Sequence, residues 1–66
     1  MVVTLVNRNN NQQYIKNMDS IPLVGDYIYV DENVTLKVLI IIHDVTSSHN
    51  IMVVCTKTAF PLAVNL

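Results

Sequence analysis

The chain has 66 residues, a formal net charge of −1 and a single cysteine. A domain near this length buries only about 60% of the surface its unfolded chain exposes, so disulfides, metals or oligomerisation commonly supplement so small a core. Cys55 alone excludes an internal disulfide, His43 and His49 fall short of the roughly four Cys or His ligands of a closed zinc site, and the four Lys/Arg against five Asp/Glu form neither the basic stripe of a nucleic-acid binder nor its acidic mimic. Oligomerisation is the supplement that remains.

Val, Ile and Thr supply about a third of the residues, which favours strands because β-branched side chains lose χ1 freedom in helices and pack well on a pleated surface. The opening segment, Met1 to Val6, lacks a positive n-region and reaches Asn7-Arg8 too early for a secretory signal. Residues 2–6 read as a first strand, Asn7 to Asn11 as a turn and Gln12 to Asn17 as the returning strand, since asparagine tolerates the positive φ of a reversal. Ser20 to Asp26 interrupts the pattern: Pro22 cannot donate to a ladder, and Gly25, the one glycine, marks a conformation that other residues resist.

Three further strands then form a meander, at Tyr27–Val30, Val34–His43 and Ile51–Thr56, joined by turns at Asp31-Glu32-Asn33 and at 46–50. Pairing Val30 with Val34 sets Ile28 opposite Leu36 on an inner face and Tyr27 opposite Lys37 on the outer one. Leu36 to Ile42 is apolar on both faces except at Lys37. If Leu36, Val38, Ile40 and Ile42 point inward with Ile28, Val30, Val53 and Cys55, then Leu39, Ile41, Met52 and Val54 gather outside with Tyr27 and Tyr29, where a short chain has little left to cover them. Two covers are available: a second copy of the chain, or the N-terminal hairpin folded over this face through Val3 and Leu5 or Val2 and Val6. The apolar C-terminal segment, 58–66, is expected to close the sheet or to pack on another subunit. The longest apolar run, Val38 to Ile42, is far shorter than the roughly 20 residues of a membrane-spanning helix.

Pro22-x-x-Gly25-Asp26-x-Ile28, followed by Lys37-Val38, Ile41-Ile42-His43-Asp44 and Ile51-x-Val53, resembles the core of small SH3-like β-barrel proteins of bacteria and phages, over residues 21–56. The resemblance implies a tightly bent meander entered through the Pro-x-x-Gly-Asp turn, with the hairpin of residues 1–18 as an addition. The fold expected is therefore all-β, an SH3-like barrel or a strongly bent antiparallel sheet, in a single domain spanning 1–66.

The chemistry-bearing residues read as structural. His43 and Asp44 are neighbours on a strand, so their side chains diverge instead of forming an oriented base. His49 lies in a polar turn, and Cys55, among Met52, Val53 and Val54, reads as a small buried hydrophobe. Asp26, Asp31 and Glu32 lack the oxygen-ligand spacing of a cation loop and fit turn chemistry, as do Asp19-Ser20. No catalytic, metal or cofactor-binding residue is assigned. Tyr14, Tyr27 and Tyr29 join large contact area to a polar tip, which suits interfaces and base stacking. The sequence thus predicts a non-enzymatic, homo-oligomeric protein-interaction module of the cytoplasm that binds itself and another protein through Leu39, Ile41, Met52, Val54, Tyr27 and Tyr29. If phage-encoded it would work in the host cytoplasm, as an inhibitor of a host defence system or as a small virion component. The alternative is a small-molecule or nucleotide binder with a tyrosine-lined pocket between subunits.

Overall fold

A computed structural model describes residues 1–46 and 50–59. The turn residues 47–49, with the expectation for His49, and the apolar segment 60–66 lie outside them. The described chain is all-β, a strongly curled five-stranded sheet that makes a half-barrel. Its strands are β1 (Val2–Asn7), β2 (Gln12–Asn17), β3 (Tyr27–Asp31), β4 (Val34–Asp44) and β5 (Asn50–Thr58), in the spatial order β2-β1-β5-β4-β3.

The N-terminal hairpin closes at the asparagines, as their side chains predict. Asn11 takes φ 61°, the amide of Asn9 donates to Asn7 Oδ1 at 3.0 Å, and that of Gln12 donates to Asn10 Oδ1 at 2.9 Å. The hairpin does not fold over the sheet. β1 instead enters it beside β5 in a parallel pairing, Val3 opposite Ile51 through Asn7 opposite Cys55, so the sheet is mixed. Val3 and Leu5 thereby join Leu36, Val38, Ile51, Val53 and Cys55 in one buried cluster, with Met18, Ile21, Ile28, Val30 and Ile41 packed against it.

The segment between β2 and β3 lies on this inner face through buried Pro22 and the half-buried Met18 and Ile21. Asp26 donates its amide to Leu23 O at 3.0 Å, closing a turn in which Gly25 has φ 95°. That is the third position of a type II turn, where positive φ is required. Gly25 N donates to Val38 O and Val38 N to Asp26 O, both at 2.9 Å, so the turn occupies the flank of β4 just before β3 begins.

The register of the meander departs from the expected one at two bulges. Ile28 faces Leu36 and Tyr27 faces Lys37 as predicted, but Asp31, not Val30, pairs with Val34, and the ladder shifts between Tyr29 and Asp31. On β4, Val38 faces Cys55 while Ile40 faces Val54, which leaves Leu39 as an extra residue. The alternation therefore reverses beyond Val38. Ile41 faces Val53 on the inner side, half-buried against the core, and Ile40 and Ile42 stand outside, 53% and 44% exposed. The expected core positions of Ile40 and Ile42, and the expected outward position of Ile41, are corrected accordingly. Among the described residues, Val38 is the last of β4 with a backbone neighbour on the β3 side, and the shift begins just beyond it, at Leu39.

Truncation should report these faces. Leu36→Ala should cost about 2 to 5 kcal/mol in urea unfolding, whereas Ile40→Ala, measured at low protein concentration, should cost well under that because its site is open to solvent. Gly25→Ala should cost about 1 kcal/mol through backbone strain alone, since an added Cβ would meet nothing within 4 Å.

Candidate interaction face

The two sides of the sheet differ in how much they bury. Opposite the core, the register aligns two rows of outward residues across four strands: Ile15, Thr4, Met52 and Ile42 in one, and Gln13, Val6, Val54 and Ile40 in the other. No ionisable side chain occurs in either row. Ile15 is 70% exposed and Met52 40%, while Val6, Thr4 and Val54 are half-buried between their neighbours. Val2, also exposed, continues the surface along β1.

Of the six residues expected at an interface, four stand on this outer face. Met52 and Val54 lie in its apolar rows, and Tyr27 and Tyr29 lie toward the other end of the sheet, in register with Lys37 and Thr35. Lys37 Nζ sits 5.8 Å from the centroid of the Tyr27 ring, a cation–π arrangement. Leu39 is half-buried at the bulge, and Ile41 belongs to the inner side. Ile40 and Ile42 take their places. Sequence reasoning also missed Val2 and Ile15, because it treated the N-terminal hairpin as a possible cover and not as an extension of the face. Their alternation with Val3 and Tyr14 was the available signal.

The two ends of β4 carry opposite charges on this face, Lys37 before the apolar pair and Asp44 after it. Asp44 Oδ1 accepts from Thr46 N at 3.1 Å and from Thr46 Oγ1 at 2.8 Å. The backbone bond first, then the hydroxyl, lowers the Asp44 pKa from its usual value and keeps the carboxylate ionised.

Cys55 is fully buried, its Sγ 3.6 Å from Val53 O, and desolvation pushes the thiol pKa up. A buried thiol held neutral is a poor nucleophile. Among the described residues, no three His, Cys, Asp or Glu side chains gather where they could hold a metal ion. No helix among them is long and apolar enough to cross a membrane. An open groove of about 620 Å³ runs between the β3–β4 turn and the end of β5, with Tyr29, Glu32, Asn33 and Lys57 on its walls. Asn9 also borders it, but its Oδ1 already accepts from Thr56 Oγ1 and Lys57 N, both at 2.9 Å. Tyr27 is not part of that groove.

Comparison with protein-family models, curated proteins and solved structures finds no match to this chain.

Two titrations follow from the site. Thr46→Ala should move the Asp44 carboxyl pKa upward in an NMR titration; the native interaction stabilises the fold at neutral pH, and that contribution disappears as pH falls through the lowered folded-state value. Cys55 shifts the other way, so its contribution is present below the ordinary thiol value of 9.0 and is lost as pH rises through the higher folded-state value. At neutral pH a thiol reagent should label Cys55 only as fast as the protein unfolds; immediate labelling of the native protein would contradict its burial.

Proposed function

We propose that the protein is a protein-interaction module that works by self-association through the outer sheet face. The observation that carries this reading is the uncharged double row over β2, β1, β5 and β4. Val2, Ile15, Ile40, Ile42 and Met52 are each between 40% and 70% exposed on this face, and contiguous exposed apolar surface of this kind marks interaction sites. A second copy suits this surface because like rows bring no like charges together, and a small core gains most from burying more apolar area. The buried, neutral Cys55 favours a contact role over nucleophilic catalysis.

Sedimentation velocity should show a dimer that dissociates on dilution, with a melting temperature that rises with protein concentration. Ile42→Asp should give a monomer with the wild type's β-sheet circular dichroism, since the position is 44% exposed within one chain. A wild type that stays monomeric, with a melting point independent of concentration, would overturn the proposal.

A further inference from the structure

Resting on the self-association reading, we infer that two copies meet with their β4 strands antiparallel across the interface, and that Lys37 of each faces Asp44 of the other. Along the outer side of β4 the order is Lys37, Ile40, Ile42, Asp44: a cation, two apolar residues, an anion. The partners of these residues on β5 are Thr56, Val54, Met52 and Asn50, evenly spaced by two residues. A two-fold axis lying in the interface plane, across the strands and between the two apolar rows, exchanges Val54 with Met52 and Ile40 with Ile42. The same operation exchanges Thr56 with Asn50 and brings Lys37 against the partner's Asp44. Because the operation is two-fold, it makes that charge pair twice.

The other two-fold solution, with its axis along the strands, superposes each row on itself. It sets β4 over the partner's β2, with Lys37 at the Asn11 end and Asp44 at the Asn17 end, so neither charge finds its opposite. The antiparallel arrangement seals the apolar rows between two ion pairs, and interfaces of this kind draw orientation and partner selectivity from such rim charges. Both groups are prepared for it. Asp44 is fixed by its two bonds from Thr46, and Lys37 is steered over the ring of Tyr27.

Charge reversal tests the arrangement. Lys37→Asp and Asp44→Lys should each weaken dimerisation by about tenfold or more, and the doubly reversed chain should return to within a few-fold of the wild type, with circular dichroism confirming that each variant is folded. Because Asp44→Lys also removes the acceptor for Thr46, a second readout avoids the reversal: the chain carrying Lys37→Cys and Asp44→Cys should be cross-linked to a covalent dimer by a bifunctional thiol reagent with a reach of about 10 Å, the spacing of two stacked sheets, and neither single variant should. Those two positions lie on the order of 20 Å apart along one strand, too far for a bridge within a copy. A wild-type dimer unaffected by the single reversals, or one whose double reversal is no better than either single, overturns this arrangement and leaves self-association standing. A monomeric wild type removes both.

Discussion

The fold depends on the position of β5, which is hydrogen-bonded on both sides, to β4 in an antiparallel ladder and to β1 in a parallel one. A strand so placed has no free edge, and its sequence, Ile51-Met52-Val53-Val54-Cys55, is accordingly apolar on both faces. Val53 and Cys55 have no exposed surface and join the inner residues of β1 to those of β4. Without the β1 pairing, Val3 and Leu5 would leave the core; without the β4 pairing, Leu36 and Val38 would. The outer face follows from the same arrangement, because the residues that alternate with these buried ones are Met52 and Val54.

What could be read in the sequence was what local chemistry dictates. The asparagine turn, the Gly25 turn and the pairing of Ile28 with Leu36 and Tyr27 with Lys37 all rest on a few consecutive residues. The β4 bulge does not. Leu39-Ile40-Ile41-Ile42 is apolar at every position, so a two-residue period fits either phase and gives no sign that one residue has been inserted. The partner of β1 was hidden for a different reason: alternating Val3 and Leu5 suit many partners, and nothing local selects one that lies 48 residues away at Ile51. These two gaps explain why the pattern alone points to Leu39 and Ile41 where the structure has Ile40 and Ile42, and why it does not point to Ile15.

Polar side chains secure the less apolar end of the sheet. Asn7 is 2% exposed, and among the described residues no buried side-chain nitrogen or oxygen lacks a hydrogen-bond partner. Beyond the last β1 residue, Arg8 N still donates to Cys55 O at 2.9 Å, and Asn9 Oδ1 takes two bonds from Thr56 and Lys57. The hairpin loop thus extends the β1–β5 contact past the strand through its own side chains. This gives the asparagine run a second role, in docking as well as in turning.

The parallel pairing of β1 with β5 also shapes how the chain reaches its structure. The β1–β2 hairpin pairs residues close in sequence and can form in microseconds, but the inner edge of β1 stays bare until β5, much later in the chain, reaches it. On a ribosome, where synthesis runs at about 5–20 residues per second, that interval is a matter of seconds. Throughout it Val3, Leu5 and an open strand edge face solvent, an arrangement that invites pairing with other nascent chains. Residue-level slowness of this kind belongs to topology and not to stability: the last contact to be made is the one that completes the core.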